Sequence, residues 1–417
     1  MHRLSGTALV AAFAVITLSS AVSVTPAGAR GGRGLVIGSL APETGDLSPI
    51  VDSLRTPVQI AVDQVNAAGG VLGQEVTLVT ADEGSDLRLA GQALDRLVIS
   101  DEADAVIGPG SDAIALGILD RIRADDVLVC SGSTSSATLT RDGPKTSGGR
   151  YFRTIPPDDL QGAALGQLVL ADGHGNVGII ARDDAYGLPV TRALVEELKQ
   201  GGAEITVKVA YDPGAASFDT DVQQLVDAEP SAVIIVGLRD DGVRTIQTMI
   251  SKDIGPHDLA IYASDRIGAP GLGSTVDPAN PGVVAGLQGT APAATPAGIT
   301  SPFQHDFAAT GQDPIFSAYQ YDCAMLVALA AVKAGSTKTK AMAKALTANT
   351  RGENPCNSFA KCADLLGESK TIRWSGASST FDDFGKYQPR SGTYDVWRYD
   401  TAGEVATLDA SRQITIR

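Results

Sequence analysis

Apolar residues recur along this chain in two rhythms that take turns. Short apolar runs at 34–40, 75–79, 105–107, 127–130, 177–181, 205–209, 232–237 and 259–262 alternate with longer stretches in which apolar residues return every third or fourth position. The runs fit strands buried on both faces, and the three-and-four spacing fits helices that bury one face. Val58, Ala61, Val62 and Val65 show the helical spacing, and that helix stops where Gly69-Gly70 supplies a left-handed backbone. The same spacing predicts helices over 87–99, 113–123, 160–171, 189–200, 218–228, 242–250, 318–334 and 341–346. Strands are expected again at 371–374 and 394–399, with a polar loop over 376–392. Repeated β–α units imply an α/β fold of parallel sheets, right-handed crossovers and helices on both faces.

The β–α units fall into two series that meet at 150–157. Pro156-Pro157 cannot continue a strand ladder, so the chain is expected to change domain there. A second soft stretch, 277–298, is rich in Pro, Gly and Ala. Periodicity alone gives two consecutive domains.

At 417 residues the chain can bury two separate cores. Its formal charge of −15 argues against nucleic acid or an anionic membrane surface as a partner. With 43% hydrophobic and 19% charged residues, extended disorder is excluded. Residues 1–29 read as a signal peptide: a positive start at His2 and Arg3, an apolar stretch too short to span a bilayer, and Ala27-Gly28-Ala29 for cleavage. An exported, soluble mature chain is the expectation, secreted or held at the cell surface or in the periplasm. No Cys follows the apolar stretch to carry a lipid anchor.

Export makes disulfides the natural use of the four cysteines. Cys356 and Cys362 lie six apart in an expected loop and are assigned to each other. The histidines are scattered without Cys at zinc spacing, so no metal is expected.

Two loops at strand ends carry the candidate chemistry, because ligands of open α/β sheets sit outside the carboxyl ends of strands. One is 107–112, with Ser111 and Asp112. The other is 130–136, with Ser133, Thr134 and Ser135. Hydroxyls there can donate to a carboxylate, or they can merely cap the helices that follow. Gly108-x-Gly110-x-x-Ala113 spells a dinucleotide fingerprint, but it follows the third strand and holds Pro109. There is no G-x-S-x-G, no P-loop and no paired-His helix, so no enzyme and no cofactor are expected.

The turn Pro42-Glu43-Thr44-Gly45 after the first strand, with Asn66-Ala67-Ala68-Gly69-Gly70, Val106-Ile107-Gly108-Pro109, Tyr151-Phe152-Arg153-Thr154 and Tyr321-Asp322, resembles the type I periplasmic substrate-binding proteins, leucine/isoleucine/valine-binding branch. The order of these segments covers nearly all the mature chain. The resemblance implies two doubly wound parallel-sheet lobes crossed three times, one of 33–153 plus 290–373 and the other of 154–289 plus 374–417. It implies a monomer that closes by hinge motion on a small polar metabolite, of the amino-acid kind, and delivers it to an ABC permease. The alternative is an extracellular sensor built on the same fold. With both in the first lobe, Cys130 and Cys323 remain as a second pair by elimination.

The resemblance also assigns roles within the cleft. Ser111, Ser133 and Ser135 match positions that hold a ligand carboxylate, while Asp112 departs from the small neutral residue expected there and would repel one. Asp183-Asp184-Ala185-Tyr186-Gly187 matches the segment whose Tyr lies over the ligand; Tyr186 could instead cap a core edge. Asp265 matches the acid that pairs with an α-ammonium, or is a turn residue paired with Arg266. Arg239 stands where relatives offer an aromatic, reaching a ligand carboxylate or lying on the surface.

Overall fold

Two α/β sheets form in the order that the alternating rhythms predict. The computed structural model describes residues 33–407 and 410–417; the expected signal segment, 1–29, lies outside the described residues. In the first series come β1 (Val36–Ala41), α1 (Val51–Ala67), β2 (Thr77–Asp82), α2 (Leu87–Asp95), β3 (Ala105–Ile107), α3 (Asp112–Ala124), β4 (Leu128–Ser131), α4 (Ala137–Thr146) and β5 (Tyr151–Arg153). Their strands pair in the order β2-β1-β3-β4-β5, all parallel. The order reverses between β1 and β3, which opens a crevice at their carboxyl ends.

The second series repeats the plan with α5 (Asp158–Ala171), β6 (Asn176–Arg182), α6 (Gly187–Gln200), β7 (Glu204–Tyr211), α7 (Asp219–Ala228), β8 (Ala232–Val236), α8 (Arg239–Ser251), β9 (Ala260–Ala263), α9 (Leu272–Val276) and β10 (Gln288–Pro292). The remaining elements are α10 (Pro302–Ala308), α11 (Ser317–Ala334), α12 (Thr339–Ala348), β11 (Asn354–Cys356), α13 (Phe359–Gly367), β12 (Ile372–Trp374), β13 (Gly392–Tyr399), β14 (Val405–Thr407) and β15 (Ile414–Ile416). The second sheet runs β14-β13-β10-β9-β8-β6-β7, with β15 also on β13. It is parallel from β7 to β10, and β13 then adds antiparallel to β10.

Each sheet is buried on both faces. In the first, Val58, Ala61, Val62 and Val65 of α1 pack with α11 on one side, and Leu94, Ile114 and Ile118 of α2 and α3 pack on the other. Helix α11 is buried around its whole circumference over Ser317 to Ala331, as an apolar helix between a sheet and α1, α12 and α13 must be.

Four expectations need adjusting. The Pro/Gly/Ala-rich stretch 277–298 is not all loop: β10 lies in it, held by the ladder to β13 more than 90 residues away. The cysteines at 356 and 362 lie in a strand and a helix rather than a loop. The helix over 87–99 stops at Asp95 and widens into a π-turn, Arg96–Ser100. Ala377, Phe381 and Phe384, past the expected third crossing, pack into the first-lobe core.

Cys130 bonds Cys323 and Cys356 bonds Cys362, with Cα separations of 5.6 and 5.4 Å. The first joins β4 to α11 across 193 residues, and the second closes a separation of 6. Loop-closure entropy gives the long crosslink about 5 kcal/mol and the short one about 2. In urea unfolding, Cys130→Ala/Cys323→Ala should therefore lose more stability than Cys356→Ala/Cys362→Ala. Equal losses would show that chain entropy is not what these bridges contribute.

Candidate functional site

The carboxyl ends of both sheets present their loops to one another. From the first sheet come the β3–α3 loop at 108–111 and the β4–α4 loop at 132–136. Gly108 takes φ +122, and a Cβ there would lie 2.1 Å from the Leu40 carbonyl, so only glycine lets the loop leave β3 so close to β1. Gly132 plays the same part against α11, where a Cβ would meet the Gln320 N–H nitrogen at 2.4 Å.

Most hydroxyls of these loops are turned onto the protein itself. Ser111 caps α3 by accepting from the Ile114 N–H at 3.2 Å. Ser133 donates to the Gly110 carbonyl at 3.1 Å or the Pro109 carbonyl at 3.3 Å, and it accepts from Gln320 Nε2. Thr134 bonds the Tyr151 hydroxyl. Ser135 accepts from the Asp158 N–H through its carbonyl at 2.9 Å. Asp112 reaches across to the other loop, where its Oδ1 accepts from the Ser136 N–H at 2.9 Å.

The second sheet brings two of its expected residues together. Asp184 accepts from the Tyr186 and Gly187 N–H groups, which fixes the turn into α6. That turn lets the Tyr186 hydroxyl donate to Asp265 Oδ1 at 3.3 Å, from the loop after β9. Arg239 is not drawn in: its guanidinium donates to the carbonyls of Ala269 and Pro270 and to Thr275.

Several residues given no role at the site from sequence complete the cleft. Arg266 stacks its guanidinium 5.2 Å over Phe316, which belongs to a first-lobe cluster with Leu54 and Tyr319. It also pairs with Asp265 at 4.0 Å. Arg153 is buried and donates to the carbonyls of Thr134 and Ser136, to Thr140 and to Gln388. Asp158, in the first turn of α5, is 3% exposed and its Oδ2 has no partner. Burial first, then the neighbouring charge of Asp112, pushes its carboxyl up to about 8. In the sequence it reads as an ordinary first-turn acid; only its place after Pro156-Pro157 hints otherwise.

A hollow of about 680 Å³ lies elsewhere, at the amino ends of β6, β9 and β10 beside Asp172, His174 and Arg412. Asp172 there already accepts from Tyr262, Gln288 and Arg412. Between the lobes, by contrast, lies the buried Asp158 Oδ2, which has no partner.

Paired sheets with a cleft between their carboxyl ends define a two-lobed ligand-binding protein of the type I periplasmic class. The family model for periplasmic binding proteins matches residues 34–364, and the chain belongs to that family, in its leucine/isoleucine/valine-binding branch. It is therefore a substrate-binding protein and not an enzyme. It is similar to a chemotactic signal transduction substrate-binding protein, BasB, of Halobacterium salinarum, with 24% identity over 370 residues, 87% of this chain and 86% of that one. It is similar to the Leu/Ile/Val-binding protein BraC3 of Rhizobium johnstonii, with 28% identity over 242 residues, 58% of this chain and 62% of that one. The branched-chain amino acid substrate-binding protein LivJ of Streptococcus pneumoniae, solved with isoleucine, shares the fold at a TM-score of 0.68 and 19% identity, over 90% of this chain and 100% of that one. Proteins of this family work outside the cytoplasm. Among the described residues no helix is long and apolar enough to cross a membrane.

Beneath the site, Glu83 at the end of β2 is fully buried; its Oε2 accepts from the Gly110 N–H at 2.9 Å and its Oε1 has no partner. Burial pushes this carboxyl up to about 7. Because the folded value lies above the unfolded one, the proton bound in the native state stabilises it below about pH 4.5. That contribution, about 3 kcal/mol, is lost as pH rises through 7. Asp158 and Asp322, the latter raised to about 6, carry the same sign. The unliganded protein should thus lose thermal stability from pH 5 to pH 8. Glu83→Gln should lessen that loss, and an unchanged slope would count against a neutral Glu83.

Proposed function

We propose that the protein captures a small polar amino compound between its lobes and delivers it to an ABC permease, working as a monomer. The observation that carries this is the Tyr186–Asp265 pair of one sheet, which lies within electrostatic reach of Asp112 on the other. Asp265 presents a carboxylate beside a phenol, a pairing suited to an ammonium group. Amino acids are the ligands in the names of several relatives, such as the Leu/Ile/Val-binding protein BraC3, which supports the amino group. The ligand-holding set would be Asp112, Ser135, Tyr186 and Asp265, with Ser111, Ser133 and Thr134 shaping the loops.

Three stretches would serve as the hinge, near 154–157, 293–301 and 385–391. A ligand bound to one lobe closes the other because the second set of contacts exists only in the closed form. A signal peptide over 1–29 would export the chain, and the two disulfides fit an oxidising compartment. A second reading is favoured by the BasB likeness, which spans most of both chains. On that reading the closed form reports ligand to a signalling partner.

A thermal-shift screen over amino acids, amines, short amides and aromatic acids tests the capture. A ligand at a hundred times its Kd should add about 2.7 kcal/mol of stability. Small-angle scattering should then show a smaller radius of gyration with that ligand bound; an unchanged radius would rule out closure. Asp265→Ala should weaken an amino ligand about thirtyfold or more, since the loss of a buried charge partner costs roughly 2–5 kcal/mol. Equal affinity in that variant would remove Asp265 from the site.

A further inference from the structure

We propose that Asp112 fills the carboxylate position of the cleft with the protein's own side chain, so that the site selects an amine without a carboxylate over the parent amino acid. The inference rests on the capture of an amino compound and narrows its class.

The first ground is the fate of the donors. A ligand carboxylate at these loops needs free N–H and hydroxyl groups. The Ser136 N–H, at the entrance to α4, is taken by Asp112 Oδ1 at 2.9 Å. The hydroxyls of Ser133 and Thr134 are engaged with the 109–110 carbonyls and Tyr151, and that of Ser111 is held at the α3 cap by the Ile114 N–H. The Ser135 carbonyl is taken by the Asp158 N–H at 2.9 Å, which ties this loop to the start of α5. An incoming carboxylate would have to displace one already in place, and it would come up against a like charge.

The second ground is the charge around the ligand position. Asp112, Asp158 and Asp265 act on one another electrostatically. Two arginines face them. Arg153 is held by the Thr134 and Ser136 carbonyls, Thr140 and Gln388. Arg266 lies between Asp265 and the Phe316 ring. With Asp158 holding its proton, two ionised acids already face the two bases, so no positive charge is left free to hold a ligand carboxylate.

The third ground is independent of charge counting. Asp158 Oδ2 is buried, at 3% exposure of its residue, and accepts no hydrogen bond. The hydroxyl of Tyr394, on β13, is fully buried without a partner and sits within the electrostatic reach of Asp158 and Asp265. Buried acceptors of this kind are rarely left unpaired, and an ammonium with three N–H donors answers them. Among the described residues no three metal-binding side chains are grouped to hold a metal ion, so the cation that fits is an organic one.

Matched pairs differing by a single carboxylate test this in the mature protein: 3-methylbutylamine against leucine, agmatine against arginine, cadaverine against lysine. Isothermal titration of the wild type should show at least one amine bound tenfold or more tighter than its amino acid. Asp112→Ser frees the Ser136 N–H and removes the repelling charge, so it should reverse that order. Asp112→Asn keeps an acceptor for the Ser136 N–H without the charge and should weaken the amine. Far-ultraviolet circular dichroism checks that both variants are folded, and the Asn variant carries the test if the Ser variant is not.

An amino acid bound as tightly as its amine by the wild type overturns the inference while leaving capture of an amino compound intact. An amine preference unchanged in both variants overturns the role of Asp112. If neither member of any pair binds, the inference falls, and the wider screen with scattering decides separately whether the lobes close on anything else.

Discussion

Asp322 lies in the second turn of α11 with no exposure to solvent, and a bare carboxylate there would be costly. Four donors converge on it: Trp374 Nε1, the Ala377 and Ser378 N–H groups, and the Ser378 hydroxyl. Burial still pushes the carboxyl up to about 6, so desolvation outweighs even that many hydrogen bonds. The demand for donors ties α11 to the chain just beyond β12. One turn earlier the same helix holds the other crossings: Tyr319 accepts from the Thr154 hydroxyl through its carbonyl and donates to the Ala293 carbonyl through its own hydroxyl. A single helix therefore holds the chain at Thr154, at Ala293 and just beyond β12, and Cys323 bolts it to β4.

That arrangement decides what can move. Helix α11 and its bonds belong to the first lobe, so a hinge must bend where chain leaves it rather than within it. Phe316, at the head of α11, sits under Arg266 of the other lobe. This stacking is a contact that opening would break without disturbing either core. The interiors of both lobes are close-packed, so relative motion would carry them as bodies rather than by gradual deformation.

The repeated units were legible because parallel strands buried on both faces write themselves as apolar runs, and helices between them as three-and-four spacing. The two-lobed α/β fold followed, with the family resemblance supplying the interleaving. Strand β10 was not legible, because its Gly and Pro content speaks against a strand and its ladder partner β13 lies far along the chain. Of the site, Tyr186 and Asp265 could be named in advance and do meet. What could not be read was where each side chain turns. Ser111 and Ser133 have the composition of a ligand loop, yet their hydroxyls close on nearby backbone. Asp112 is plainly unusual in sequence, but its partner, the Ser136 N–H, is 24 residues away. Asp158 carries no mark beyond its place after two prolines.

Those last residues share one physical condition. A cleft that closes removes water from every charge in it, so each carboxylate must find a donor, take up a proton or wait for a ligand. Asp112 finds its donor in the opposite loop. Asp265 takes Tyr186 and the Arg266 N–H. Asp158, with its Oδ2 unpartnered, holds a proton up to about pH 8. The three solutions are coupled, because ionising one carboxylate raises the cost of ionising its neighbours. On the proposed reading, a ligand that enters with its own donors would relieve the Asp158 Oδ2, and that gain would exist only with both lobes around it. Selectivity and closure would then have the same source: the unmet hydrogen-bonding demand of a desolvated acid.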